Sequence, residues 1–421
     1  MIALAFLLTV SQDVAHPYAI RCGKLLDVKT SSYKTDQIVV VDDENIVSVG
    51  AAASAKVPAD AVAIDMSKAV CMPGLIDVHV HLTGDPSGSG YRGLGQGVTR
   101  AAIKGVKNAR KTLMGGFTTV RNVGAAGFAD VALKEAIEAH EVEGPRLFVS
   151  GPSLGITGGH CDDNLLAYDY HHKSEGVADG PWAVRAKVRE NIKYGADLIK
   201  FCASGGVLSK GDQPGTPQYT LEEMKALVEE AHKLGRKVAA HAHGGISIKE
   251  AILAGVDSVE HCSLIDDEGI RLAKERGTFL VFDVYNDDFI LQEGAKNGML
   301  PEYIEKEKKI GRLQRENFRK AYLAGTRMAF GTDAGVYPHG DNWRQFPMMV
   351  EWGMKPVEAI RSATLAAAEL VGLEGKAGSV ETGYFADIIA VEGDPLADPR
   401  MMKNVRFVMK AGEVYRNDWK K

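Results

Sequence analysis

The stretch Leu75-Ile-Asp-Val-His-Val-His-Leu82 reads as one apolar β-strand carrying three polar side chains at alternate positions. Side chains alternate across a strand, so Asp77, His79 and His81 share a face. Two imidazoles one residue apart can grip a single cation, although taken alone such a pair is more often an ordinary core or surface feature. Outward from this stretch the same apolar texture recurs at Phe117–Val123, Arg146–Ser150, Leu198–Ala203, Lys237–His243, Ser258–Cys262, Phe279–Val284 and Met328–Thr332. Helical segments separate several of these runs; Leu221–His232 is amphipathic, with Thr220 as its N-cap and Gly235 closing its end. Eight strands alternating with helices indicate an α/β fold with a parallel sheet. They favour a closed, TIM-like (β/α)8 barrel over an open doubly wound sheet.

A parallel barrel builds its site at the C-terminal ends of its strands. Here those ends are polar. Lys200 closes Gly195-Ala-Asp-Leu-Ile-Lys200, His241 and His243 close the fifth strand, Glu260-His261 the sixth and Gly331-Thr-Asp333 the eighth. A buried, unpaired ammonium is costly, so Lys200 by itself reads as a lysine that snorkels or pairs with an acid. Each residue is weak singly, but four histidine ligands, a lysine and an aspartate at the strand ends of one sheet point to a catalytic metal centre.

The two ends of the chain differ from its middle. Short alternating runs at Gln37–Asp42 and Ile46–Gly50 are matched, after a helix ending near Val371, by Phe385–Val391 and Val405–Gly412. These read as antiparallel strands. They predict a small β-sandwich domain formed by both termini, residues 16–70 plus 375–421, flanking a central barrel of residues 71–374. The apolar run Met1–Val10 lacks a basic segment before it and has about half the length that spans a bilayer. Residues 1–15 therefore read either as a signal-peptide remnant, implying a periplasmic or secreted protein, or as the start of a first strand, implying a cytoplasmic one.

The 421 residues are 45% hydrophobic and 25% charged, with 50 basic and 55 acidic side chains for a net charge of −5. This composition excludes a disordered chain, a collagen-like fibre and a disulfide-dense miniprotein. The charges are interspersed, so neither nucleic acid nor a membrane surface is expected as a partner. Cys22, Cys71, Cys161, Cys202 and Cys262 form an odd set without C-x-x-C spacing, which argues against a sulfur zinc site and a fully paired disulfide framework. Buried thiols are the expectation. Alternation turns Cys262 away from the face of His261, whereas Cys202 shares the face of Lys200.

Pro73-Gly-Leu-Ile-Asp-Val-His-Val-His81, Lys200, His241, His261, Gly331-Thr-Asp333 and Gly383-Tyr-Phe-Ala-Asp-Ile-Ile-Ala-Val391 together resemble the metal-dependent amidohydrolase superfamily. The resemblance covers nearly the whole chain. Within it, Thr157-Gly-Gly-His160, Ile199-Lys-Phe-Cys-Ala-Ser-Gly-Gly206, Gln218-Tyr219 and Ala240-His-Ala-His-Gly244 look like the branch of Xaa-Pro dipeptidases, or prolidase-like carboxypeptidases, that also includes ochratoxin amidohydrolases. The resemblance implies two divalent metal ions, usually zinc. His79, His81 and Asp333 would bind one, His241 and His261 the other, with carboxylated Lys200 bridging them. Carboxylation turns a cation beside two dications into an anionic oxygen ligand.

From the same resemblance, a metal-bridging hydroxide would attack a small amide or dipeptide substrate. Asp333 would shuttle the proton, and His160 would contact the substrate carbonyl or carboxylate. Spacing alone leaves open which of His241 and His243 is the ligand; the family pattern chooses His241 and leaves His243 for substrate contact or support. Tyr219 has two readings, a hydroxyl for the substrate carboxylate or a hydrophobic staple before its helix. Relatives in this branch are often homo-oligomers, including octamers. The rival chemistry is ring deamination or cyclic-amide hydrolysis, but deaminases of the superfamily usually carry Glu three residues after the fifth-strand histidine, where this chain has Gly244. A non-catalytic barrel scaffold is the rival of another kind, and the complete ligand set disfavours it.

Overall fold

In the computed structural model, which describes residues 16–419, the chain begins with four strands: β1 (Tyr18–Asp27), β2 (Ser32–Asp42), β3 (Asn45–Ala51) and β4 (Val62–Pro73). Seven short strands follow, β5 (Leu75–Val80), β6 (Phe117–Asn122), β7 (Arg146–Val149), β8 (Leu198–Cys202), β9 (Lys237–Ala242), β10 (Ser258–His261) and β11 (Phe279–Val281). The chain closes with β12 (Ile388–Val391), β13 (Val405–Lys410) and β14 (Glu413–Asn417). The apolar segment within residues 1–15 lies outside the described residues.

The terminal strands form one seven-stranded sheet in the order β14-β13-β12-β4-β1-β2-β3. β1 runs antiparallel to β2 and parallel to β4, and β12 pairs antiparallel with β4. Alternate residues Ile20, Val39, Ile64, Ile388 and Phe407 turn to one face and build a core separate from that of the middle segment. Each such fully buried side chain contributes about 1.5–3 kcal/mol, which holds the distant ends of the chain together.

In the middle, β5-β6-β7 and β8-β9-β10-β11 form two parallel arcs. Nearly every residue of these strands is buried, as expected of strands covered on both faces. A parallel bridge from Leu154, in the segment that follows β7, to Phe201 ties that segment to β8. The expected eighth strand at Met328–Thr332 is not continuous. Residues 327–334 instead lie between β11 and β5 through the isolated bridges Leu280–Met328 and Val80–Ala334, with Val78 N–H donating to Phe330 O at 2.9 Å. Two residues interrupt the pleat. Gly331 presses so close to His79 and Val281 that a Cβ would collide, and Asp333 adopts φ +54°.

Between the strands run α1 (Val98–Met114), α2 (Ala129–Glu138), α3 (Pro181–Lys193), α4 (Leu221–Lys233), α5 (Gly245–Ala254), α6 (Asp267–Arg276), α7 (Asn286–Glu293) and α8 (Pro301–Leu323). Three short helices, α9 (Gln345–Glu351), α10 (Pro356–Ser362) and α11 (Leu365–Val371), lead back to the terminal sheet. α4 starts with the full capping box: the Thr220 hydroxyl accepts from Glu223 N–H, and the Glu223 carboxylate accepts from Thr220 N–H. Gly235 ends that turn at φ +72°, a conformation glycine adopts without strain. Among the described residues, no helix is long and apolar enough to cross a membrane.

The cysteines correct the expectation of free thiols. Cys22–Cys71 and Cys161–Cys202 are disulfides, and only Cys262 is free and buried. Spacing along the chain carries no information about Cys22 and Cys71, because the pairing of β1 with β4 brings them together across 49 residues.

Candidate active site

The polar strand ends converge. His79 and His81 leave β5, Lys200 stands on β8, His241 and His243 end and follow β9, His261 ends β10, and Asp333 sits on the segment beside β5. Three metal-capable groups result: His79–His81–Asp333, His241–His243–His261 and His261–Asp283–Asp333, the ligand atoms of each lying within 4.8 Å of one another. Asp333 Oδ1 is 3.5 Å from His79 Nε2 and 3.3 Å from His81 Nε2. His261, Cys262 and Asp333 all have positive φ, so the backbone is held in an uncommon conformation at two of the candidate ligands.

Lys200 is only 3% exposed, and among the described residues no carboxylate lies within ion-pair distance of it. Burial pushes its ammonium down to about 8, against the pull of Glu260 and Asp333. Its charge bears on His79 and His81 on one side and on His241 and His243 on the other. Burial, reinforced by these like charges, lowers His79 to about 3 and holds His81, His241 and His243 well below the ordinary imidazole range. Neutral imidazoles are the form that binds metal. At His261 burial also opposes the charged form, but Asp283 and Asp333 outweigh it and raise the ring. Burial lifts Asp333 to about 7, opposed by His261 and Lys200.

A second layer fixes these side chains. Glu260 Oε2 lies 2.9 Å from His79 Nδ1, while its Oε1 accepts from Arg121 Nη2 at 2.7 Å. Asn286 donates to Asp333 Oδ2 at 3.1 Å and to Asp283 Oδ2 at 2.6 Å. Gln314 on α8 donates to Asp283 Oδ1 and to the His261 carbonyl. His243 Nδ1 meets Ser263 Oγ at 2.8 Å. Sequence reading assigned no role to Arg121, Glu260 or Asp283, although each is a charge inside an apolar strand run and so needs a buried partner. Asn286 and Gln314 carry no comparable signal, since both stand on helices rich in polar residues.

His160 reaches the site, its ring stacked on His241 at 4.1 Å between centroids. The Tyr219 hydroxyl is engaged by the backbone. Tyr219 is buried, donates to the Ala178 carbonyl at 3.0 Å and packs on Phe201. The sequence grouped His243 with the substrate, yet its ring stands within the same metal-capable cluster as His241 and His261.

The donor set suits divalent ions. Among the described residues, His79 Nε2 is buried with no hydrogen-bond partner, and the clusters offer imidazole and carboxylate without thiolate. Hard oxygen and imidazole donors of this kind suit zinc, cobalt or manganese.

Fold and site together are those of a metal-dependent hydrolase. Residues 70–415 match the amidohydrolase family, and the chain belongs to it. It is 35% identical over 371 residues to an ochratoxinase of Aspergillus niger, covering 82% of this chain and 76% of that one. Among solved structures, a Xaa-Pro dipeptidase with methionine bound in its active site superposes with a TM-score of 0.89 at 38% identity, covering 95% of this chain and all of that one. A prolidase complexed with N-methylphosphonate-L-proline superposes with a TM-score of 0.87 at 33% identity, again over 95% of this chain and all of the other. The protein is a hydrolase of amide C–N bonds, in the ochratoxinase and prolidase branch of the family.

Proposed function

We propose that this protein is a binuclear-metal amidohydrolase that releases a C-terminal amino acid from a Xaa-Pro dipeptide or an N-acyl amino acid such as ochratoxin A. The observation that carries the reading is Lys200, buried without a carboxylate partner and electrostatically linked to both imidazole groups. Carboxylated, it would be an anionic oxygen ligand between the two groups, and the cost of the buried cation would disappear. His79, His81 and Asp333 would hold one ion, probed best with zinc, and His241 and His261 the second, with His243 at the substrate or in support.

When bound, the ions supply Lewis acidity that activates water and polarises the scissile carbonyl. The chain supplies the rest. Asp333, held by the hydrogen bond that Asn286 donates to Oδ2, would take up a proton and return it to the departing amine nitrogen. His160 makes a substrate contact from the loop after β7. The shared identity with an ochratoxinase, a Xaa-Pro dipeptidase and a prolidase supports the substrate class.

The architecture that goes with this reading is a closed eight-stranded barrel of residues 71–374, with residues 16–70 and 375–421 forming a discontinuous β-sandwich domain. Bridges at both edges of the two parallel arcs support closure. Two disulfides favour an oxidising compartment, hence the periplasmic or secreted alternative. By the family resemblance, the chain would assemble into a homo-oligomer such as an octamer.

The test is turnover of a panel of Xaa-Pro dipeptides, N-acyl amino acids and ochratoxin A, with Lys200→Ala and Asp333→Asn beside the wild type. Hydrolysis of at least one class by the wild type, with loss of more than about 100-fold in both variants, is expected. Deamination of a nucleobase with no panel member cleaved would sink the proposal.

A further inference from the structure

His160 is held by a hydrogen-bonded chain whose direction can be read. Its Nδ1 lies 2.7 Å from Ser209 Oγ, and Ser209 Oγ lies 2.6 Å from Asp212 Oδ1. The same Asp212 oxygen accepts from Lys306 Nζ at 2.7 Å. Lys306 comes from α8, is 2% exposed, and also donates to the carbonyls of Ser209 at 2.6 Å and Gly206 at 3.2 Å. The other Asp212 oxygen accepts from Gly206 N–H at 3.0 Å and from Gln218 Nε2 at 3.3 Å, while Gln218 Oε1 accepts from His160 N–H.

A carboxylate paired with a lysine can only accept. The Ser209 hydroxyl hydrogen therefore goes to Asp212, and Ser209 Oγ must accept from His160 Nδ1–H. Gly206 completes the cradle. A Cβ there would lie 2.2 Å from Nδ1 and Cε1 of the His160 ring, so only glycine lets the ring settle. One buried lysine thus grips the floor under the ring through Gly206, the backbone of the serine that orients it, and the aspartate that orients the serine.

We infer that Lys306, Asp212 and Ser209 are positioning residues that fix His160 over His241 with its proton on Nδ1. The inference rests on the proposed amide hydrolysis for its kinetic consequence. It also narrows the contact that His160 makes. Held this way, the neutral ring has Nε2 unprotonated, so it accepts a hydrogen bond from substrate N–H; it does not donate to a carbonyl or carboxylate. The arrangement parallels other sites in which a carboxylate behind a histidine selects the tautomer.

Two variants test this. Ser209→Ala removes the acceptor for Nδ1–H with little change in volume. The double variant Lys306→Met, Asp212→Asn removes both charges together, so neither is left buried alone. Crystal structures of both zinc-loaded variants, with metal content and melting temperature as controls, are expected to show the His160 ring displaced from its stack on His241 while metal content stays at the wild-type level. On a substrate that the wild type cleaves, kcat is expected to fall about 10- to 100-fold with KM changed less than about threefold. An unmoved ring with kcat within about twofold of wild type in both variants would overturn the inference. If the wild type cleaved no panel substrate, the functional reading would fail, and the ring position in the two crystal structures would still decide this one.

Discussion

Glu260 Oε2 stands 2.9 Å from Nδ1 of His79, and both groups are fully buried. Glu260 thereby fixes the ring so that Nε2 points toward Asp333, and Arg121 keeps Glu260 ionised, its carboxyl held well below the usual range despite burial. The strand ends alone would aim an imidazole loosely; the acid behind it sets tautomer and direction.

Glu260→Gln is therefore expected to weaken metal binding about 10- to 100-fold, measured by chelator competition. Glu260→Ala goes further. It leaves the Arg121 guanidinium buried without its partner, and a loss of about 3–5 kcal/mol is expected in denaturant unfolding. Unchanged metal affinity in both variants would mean that His79 needs no support.

The Cys161–Cys202 disulfide joins the residue after His160 to the strand that carries Lys200. Closing a loop of this length stabilises a chain by about 2–4 kcal/mol. Replacing both cysteines by serine is expected to lower the melting temperature by several degrees and to reduce kcat, because the His160 loop loses a covalent tether. Equal activity and stability of the double variant would show that the disulfide supports neither.

Glu307 is a buried carboxyl on α8, pushed up to about 8 by burial and by Asp287 and Asp283, with Arg315 opposing. Its ordinary value is 4.5. A raised folded-state value means that the contribution is fully present below about pH 4.5 and is lost as pH rises towards 8, where the fold holds a proton that the unfolded chain has released. Glu307→Gln is expected to raise the melting temperature over wild type by a few degrees at pH 8, with the difference vanishing near pH 4.5. A variant less stable than wild type at pH 8 would contradict this, and scanning calorimetry across pH 4–9 measures it.

Much of this was legible in the chain. Thr220 and Gly235 announced the start and end of α4, and the ligand strands were visible because imidazoles and a lysine are out of place in apolar runs. Arg121 and Asp283 carried the same signal, and the rule that a buried charge needs a partner would have found them. Three features were beyond sequence. The Lys306–Asp212 pair joins residues 94 positions apart, from a helix charged over much of its surface. The Cys22–Cys71 bond depends on strand register. The break at Gly331 and Asp333 reflects crowding against His79, which no local pattern encodes.

The proposed role of Lys200 is to complete a two-ion site for amide hydrolysis. Its most direct test is titration of metal-free protein with zinc in the presence of bicarbonate, following bound metal and hydrolysis of a cleaved panel substrate together. Activity is expected to reach its plateau at about two ions per chain, with about one ion and little activity for Lys200→Ala. A plateau at one ion or fewer, or a Lys200→Ala variant as active as wild type, would contradict it.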